Sequence, residues 1–293
     1  MPQSQLFSPA DLVDDDLSFR ACRDYNSQRD CRAALEQAYL KHHHLLPEVA
    51  FLSEFRRNFR ARAWELWVLD WLASKYEVEK SPPMGPDFSI IVDGKRIWIE
   101  CVIATTGTGA DRVLLPAPGQ TYFSGLRAEQ VALRYTNAIV DKHRDLARYR
   151  NERPPIVKPD EPVVIALHCG AIPYVYRAEQ PDGAPVLVQA LFGIGEPEFI
   201  VPINDPSSKI EVAIAQRPVL RKSNQAKVSS RGFLDGEVNA ISAVAFVISD
   251  LGNWPSVDHL QIAHNHCAEN PLTRGLLPSG PQWFVNGETL VSE

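Results

Sequence analysis

The sequence lacks the cysteine patterns that would give the chain a covalent or metal framework. Its five cysteines are scattered over 293 residues and form no CxxC pair and no zinc-finger spacing. A disulfide framework uses an even set of cysteines, and a structural zinc site uses closely spaced pairs. Neither kind of framework is therefore expected.

Segments that would direct the chain to a membrane are absent too. No apolar run approaches the roughly 20 residues that a membrane-spanning helix needs. Residues Met1 to Pro9 are polar and contain no apolar signal segment. We expect a cytoplasmic protein with no membrane partner.

The sequence also has no complete nucleotide-binding loop and no excess of positive charge. The pairs Gly107/Gly109 and Gly193/Gly195 complete neither a GxGxxG motif nor a P-loop, so no nucleotide cofactor is expected. With 30 Lys and Arg against 36 Asp and Glu, the formal net charge is -6, unlike that of a small basic nucleic-acid binder. A local basic groove on an acidic body is compatible with this charge.

The overall composition is typical of a folded domain. Hydrophobic residues make up 45% of the chain and charged residues 23%. The length suits one large domain or a domain with an elaborate insertion. We interpret residues 1–50 as a helical N-terminal extension, 51–169 as the core, 170–237 as an insertion and 238–293 as the part that completes the core.

The order of helical and β-rich segments indicates the fold class. Apolar residues recur at threes and fours from Phe51 to about Tyr76, and a second helix is predicted from about Ser124 to Tyr149. Short apolar or β-rich runs predict strands at 88–92, 96–103, 163–168, 241–249 and 260–264. This order predicts an α/β sandwich with a central mixed sheet.

The clearest local signal is a β-hairpin. Asp93 and Gly94 lie between the runs Phe88–Val92 and Arg96–Ile103. Both central positions of a type I′ turn need positive φ, which Asp-Gly provides. Side-chain alternation then gives one apolar face, which must be core, and a second face that carries carboxylates.

The same register places Asp87 directly opposite Glu100. Carboxylates in opposed strand positions repel each other, and a hard divalent cation such as magnesium would offset the repulsion. Alternatively, one carboxylate is solvated or bonded to an arginine, or the register slips by one residue. Glu65, at the core-facing edge of the preceding helix, is a candidate third acidic group, or it forms a salt bridge to Arg96.

These residues resemble a known superfamily. Pro86-Asp87 opens one strand, Glu100 follows thirteen residues later in the next, and a helix with a glutamate precedes both. This arrangement is similar to that of the PD-(D/E)XK nucleases, which include many restriction endonucleases and repair nucleases. The resemblance covers about residues 54–169 and can include the strand at 241–249.

The resemblance implies a restriction-endonuclease-like α/β/α sandwich and metal-dependent hydrolysis of phosphodiester bonds. Asp87, Glu100 and the carbonyl of Cys101 would hold Mg²⁺ or Mn²⁺. Glu65 would complete the shell or hold a second ion. An ion in such a site polarises the phosphate and lowers the pKa of a bound water.

One departure concerns the lysine that the superfamily places two residues after the strand glutamate. Here that position is Val102, and Lys95 lies on the opposite face of the hairpin from Glu100. Lys142 falls within the apolar stripe of the second helix, so we propose it as the replacement. Arg134, two turns earlier, is a second candidate for phosphate contact. If nothing replaces the lysine, the chain is a catalytically inactive binding or interaction module.

Two basic runs suit a polyanionic substrate. The first lies at the start of the first helix, and the second lies between Val212 and Leu234, a stretch without an acidic residue: Arg56, Arg57, Arg60 and Arg62; Arg217, Arg221, Lys222, Lys227 and Arg231. We expect a nucleic-acid partner, DNA rather than RNA, and the resemblance is compatible with a homodimer. A secreted nuclease effector with an immunity partner is a third alternative.

Overall fold

A mixed sheet of eight strands forms the centre of the molecule. The computed structural model describes residues 6–7, 14–46, 48–82, 84–115, 127–179, 183–200, 211–249 and 259–293. The strands are β1 (Val78–Lys80), β2 (Phe88–Val92), β3 (Lys95–Ile103), β4 (Val163–His168), β5 (Ile194–Ile200), β6 (Glu211–Gln216), β7 (Val219–Arg221), β8 (Lys227–Ser229), β9 (Ala243–Val247), β10 (Gln261–His264), β11 (Gln282–Asn286) and β12 (Thr289–Ser292).

The strand order in the central sheet is β1-β2-β3-β4-β9-β10-β11-β12. Strands β3, β4 and β9 run parallel to one another, and β10 runs parallel to β11. The remaining neighbours are antiparallel. Two separate pairs, β5 with β6 and β7 with β8, form small antiparallel sheets.

Helices flank the sheet. They are α1 (Leu17–Asp24), α2 (Arg29–His42), α3 (Glu48–Arg57), α4 (Phe59–Ala73), α5 (Ala128–Asn151), α6 (Val186–Phe192) and α7 (Gly232–Asp235). No helix in the described ranges is both long enough and apolar enough to cross a membrane.

Two hydrophobic cores lie on opposite faces of the sheet. Helices α1 to α4 pack with one face of the sheet, and α5, α6 and α7 pack with the other. Every residue of β4 and β9 is buried, as expected for parallel strands covered on both faces. The chain therefore has a mixed α/β fold with a large central mixed sheet between helices, and α6, within the segment interpreted as an insertion, lies in the second core.

The predicted hairpin register is confirmed. Phe88 lies opposite Ile99 in the antiparallel pair of β2 and β3. Asp93 has φ of 50° and Gly94 has φ of 75°, the positive values that the turn requires. The apolar face of the hairpin lies in the core formed with α4, also as predicted.

Other elements differ from the prediction. The single helix predicted from Phe51 to Tyr76 is two helices, because Asn58 has φ of -126° and ψ of 50°. Asn58 N–H still bonds the Glu54 carbonyl, and its own carbonyl accepts from Arg62 N–H, so apolar spacing continues across the break. The sequence does not predict the edge strands β1 and β12 or the strand β11 next to β12. The predicted helix start at Ser124 lies outside the described residues.

A buried ion pair ties the N-terminal segment to α3. Asp15 accepts hydrogen bonds from Arg56 Nε at 2.8 Å and Nη2 at 2.7 Å. Side-chain exposure is 1% for Asp15 and 13% for Arg56, so the pair is desolvated. Loss of one partner would leave the other charge buried and uncompensated.

We therefore expect Arg56→Met to lower the free energy of unfolding by about 3–5 kcal/mol. The neighbouring Arg57 contacts Asp14 at 3.9 Å with both side chains mostly exposed, so Arg57→Met should cost about 0.5 kcal/mol or less. Urea unfolding followed by circular dichroism measures both. Equal effects of the two substitutions would contradict the docking of this segment through the buried pair.

Candidate functional site

Two carboxylates, those of the partly buried Asp87 and the buried Glu100, meet where β2 begins beside β3. Asp87 directly precedes β2, and one of its oxygens accepts a hydrogen bond from Cys101 N–H at 2.7 Å. Glu100 on β3 is only 4% exposed. Burial raises the pKa of both carboxyls, and the negative charge of Asp87 adds to the effect on Glu100, whose pKa is about 7. Both carboxyls therefore lie in surroundings that disfavour the ionised form.

The helix α5 brings Lys142 to this pair. Its Nζ contacts Glu100 Oε1, and the Lys142 side chain is 24% exposed. Burial acts to lower the pKa of Lys142, but the attraction of Glu100 outweighs it and the pKa is raised. The ammonium is thus charged at neutral pH and is positioned over the carboxylates from the face opposite α4.

Glu65 approaches from α4. Burial, followed by repulsion from Asp87, raises the pKa of Glu65 to about 8. Arg62 Nη1 donates to Glu65 Oε1 at 2.6 Å. The alternative prediction of a salt bridge to Arg96 is wrong, because Arg96 contacts Glu79 and Ser89 instead.

The donor atoms fit a hard divalent cation in type. Asp87 and Glu100 offer carboxylate oxygens, which such cations prefer. In an extended strand the N–H and C=O of a residue point to the same side, so the Cys101 carbonyl faces the side of Asp87. Within the described part of the chain, however, no three His, Cys, Asp or Glu side chains lie close enough to hold an ion as they stand. Lys142 and Arg62 occupy oxygens that an ion would use.

The Cys101 thiol has no part in this site. Its side chain lies in the core formed with α4, and burial raises its pKa well above the ordinary value. A neutral buried thiol is a poor nucleophile. Only the backbone of Cys101 is available to the carboxylate pair.

A basic hairpin, β7–β8, lies near the N-terminal end of α5. Arg221 N–H donates to the Glu129 carboxylate at 3.0 Å, and Ser223 N–H donates to Asp111 at 2.6 Å. These bonds use the backbone of the hairpin. The side chains of Arg221 and Lys227 are exposed, and that of Lys222 is partly exposed.

Arg134, on the N-terminal half of α5, also belongs to the surroundings of the β7–β8 hairpin. Its Nε donates to the Thr105 carbonyl at 3.0 Å, and its guanidinium packs against Gly107. The pKa of Asp111 is lowered by its hydrogen bonds with Ser223 and by the nearby charges of Lys222 and Arg134. Arg134 and the hairpin therefore belong to one surface.

Two other predicted basic residues, Arg231 and Arg60, make contacts within the chain. Arg231 pairs with Asp235 at 3.3 Å and packs on Gly193. Arg60 donates to the Ala171 carbonyl at 2.7 Å. The basic run of α3 and α4 is thus largely engaged in internal contacts.

No protein-family model, curated protein or solved structure matches this chain. The chemistry of the site is therefore argued from its geometry. Sequence patterns had not assigned Arg62 to the site, although its position three residues before Glu65 on one helix is the spacing of a helical ion pair.

The raised pKa of Glu65 makes the free energy of unfolding depend on pH. An ordinary glutamate titrates near 4.5 and Glu65 near 8, so its contribution to stability is present below about pH 4.5 and lost as the pH rises through 8. We expect Glu65→Gln to exceed wild type by about 1 kcal/mol or more at about pH 9 and by little at about pH 5. Urea unfolding in the presence of a chelator measures this difference.

The exposed Glu77→Gln is the matched control for removal of one carboxylate. A stability difference between Glu65→Gln and wild type that stays constant from acidic to alkaline pH would contradict a largely buried carboxyl whose ionised form is disfavoured by burial and by the charge of Asp87.

Proposed function

We propose that the chain is a divalent-cation-dependent nuclease, most simply a DNA endonuclease, with a restriction-endonuclease-like α/β/α sandwich. The observation that carries the proposal is the contact of Lys142 with Glu100 beside Asp87. It joins two carboxylates and an amine at one place, which is the set of groups that the resemblance to PD-(D/E)XK nucleases requires. The lysine comes from α5 rather than from β3.

The residues of the site divide the work of phosphodiester hydrolysis. Asp87, Glu100 and the Cys101 carbonyl would hold Mg²⁺ or Mn²⁺, which supplies Lewis-acid polarisation and a more acidic water when bound. Lys142 orients the attacking water or counters the negative charge that develops on the phosphate. Glu65 lies at the edge of this group and can add a further oxygen once Arg62 releases it.

Support for a nucleic-acid substrate comes from the surface around the β7–β8 hairpin. Arg221, Lys222 and Lys227 belong to the hairpin, and Lys222 and Arg134 act on the carboxylate of Asp111, which the hairpin backbone contacts. The exposed Arg112 and Arg127 lie close in sequence to Asp111 and Glu129. A local positive field on a chain of net charge -6 favours a polyanion. Cutting both strands of duplex DNA calls for two copies of the site, so we propose a homodimer that acts in the cytoplasm.

A second candidate is a catalytically inactive binding module of the same fold. The specific observation that favours it is Val102, which stands where the superfamily has its lysine. The two candidates share the nucleic-acid surface and differ only in cleavage.

Cleavage separates the two candidates. We expect wild type to cut plasmid DNA with Mg²⁺ or Mn²⁺ and Asp87→Asn to lose at least about a hundredfold in rate, since it removes a ligand of the ion. Asp141→Asn, an exposed neighbour of Lys142 that pairs with Arg144, should cut like wild type. Gel assays of the three proteins, prepared identically, measure the rates. Equal behaviour of wild type and Asp87→Asn would leave the binding module as the function.

The basic surface makes a separate prediction about salt. Lys227→Ala should weaken binding to a DNA duplex and lower the slope of log affinity against log salt by about 0.9, the effect of one lost phosphate contact. Lys41→Ala, which removes another exposed lysine, paired with Asp70 on the other side of the sheet, should leave the slope unchanged. Fluorescence anisotropy at several salt concentrations gives both slopes. Identical slopes for the two variants would remove the hairpin from the DNA surface.

A further inference from the structure

Cations from two helices already cover carboxylates of the candidate site. Lys142 of α5 contacts Glu100, and Arg62 of α4 contacts Glu65 through Nη1. The side chains of Lys142 and Arg62 are 24% and 28% exposed, whereas those of Glu100 and Glu65 are 5% and 12% exposed. Each cation therefore lies on the solvent side of the carboxylate that it covers.

Arg62 has hydrogen-bonding capacity to spare. Its Nη2 contacts Glu54 at 2.6 Å, while its Nε is buried and has no acceptor among the described residues. An arginine offers five donors in a planar fork that matches the oxygens of a phosphate. Within the described part of the chain, the internal contacts of Arg62 thus leave its Nε–H free to donate a hydrogen bond to a phosphate oxygen.

The formal charges of the group fall short of neutrality by one divalent cation. Among the described residues, the basic side chains that contact or act on Glu65, Asp87, Glu100 and the half-exposed Glu54 are Arg62 and Lys142. At alkaline pH, where Glu65 and Glu100 are also ionised, the four carboxylates carry two more negative charges than these two cations balance. An added divalent cation would balance them, and its inner shell would compete directly with the two side-chain cations for the same oxygens.

We propose that Arg62 and Lys142 are exchangeable counter-ions, which a divalent cation displaces from Glu65 and Glu100 and which then bind a phosphate of the substrate. This inference rests on the proposed function and deepens it. It assigns Arg62 as a substrate-positioning residue and predicts positive coupling between the cation and a polyanionic substrate. By reciprocity, each raises the affinity for the other by the same factor.

Binding of Mn²⁺ alone tests the displacement. Isothermal titration calorimetry at alkaline pH, where protons compete least, should give Lys142→Met about a fivefold or larger gain in Mn²⁺ affinity over wild type. Lys95→Met is the charge-matched control, since Lys95 is exposed and lies on the opposite face of the hairpin. Its gain should be small. Arg62→Met provides a second variant with the same expected gain, so the test does not depend on one substitution folding well.

The coupling is tested with a phosphorothioate DNA duplex that is checked to remain uncut. The duplex should raise the Mn²⁺ affinity of wild type, and the increase should be smaller in Arg62→Met and Lys142→Met than in Lys95→Met. These readouts are affinities, so they do not depend on turnover.

The possible outcomes distinguish a failure of the counter-ion proposal from a failure of the proposed nuclease function. If wild type binds Mn²⁺ and Asp87→Asn does not, but Lys142→Met and Arg62→Met bind no more tightly than Lys95→Met, the counter-ion inference is wrong and the metal site stands. If wild type, like Asp87→Asn, binds no Mn²⁺, the proposed function fails as well.

Discussion

The burial of like charges at one point of the sheet governs the chemistry of this molecule. Asp87 directly precedes β2, Glu100 lies on β3, and Glu65 approaches from α4. Burial raises the pKa of each carboxyl, and the negative charge of Asp87 raises those of Glu65 and Glu100 further. An isolated buried carboxylate is costly, and a group of them requires positive charge. The cations Arg62 and Lys142 supply part of it, and the remaining deficit is the physical reason for expecting a divalent ion.

The fold holds this group in place by covering the sheet on both faces. Helix α4 lies against one face and carries Arg62 and Glu65, while α5 lies against the other and carries Lys142. The strands between them present the remaining carboxylates and the Cys101 backbone. The Val102 side chain on β3 faces the layer that contains α5, so a lysine from α5 can lie where a lysine at position 102 would lie.

The sequence allowed the hairpin to be predicted because turn chemistry, alternation and register all agree there. The Asp93-Gly94 pair fixes the turn, and the turn fixes which residues oppose each other. The contact of Lys142 could also be anticipated, since a lysine inside an apolar stripe needs a partner. Both the hairpin and the apolar stripe of α5 could be predicted because each produces a regular pattern over a few neighbouring residues.

Other features depend on contacts that periodicity does not encode. The helix break at Asn58 leaves the apolar spacing intact, and the short strands β11 and β12 join the sheet edge through pairing between distant segments. The spacing of Arg62 and Glu65 on one helix permits their ion pair, but the largely buried position of the Glu65 side chain depends on how α4 packs on the sheet. Arg231 illustrates the converse, because this residue of a basic run pairs with Asp235 four residues later, although both side chains remain more than a third exposed.

The central claim is that a divalent cation binds between Asp87 and Glu100, and anomalous diffraction from crystals soaked in Mn²⁺ tests it most directly. The account predicts an anomalous peak within bonding distance of both carboxylates and the Cys101 carbonyl, with Lys142 Nζ moved away from Glu100. No peak at saturating Mn²⁺, with Lys142 still in contact with Glu100, would contradict it.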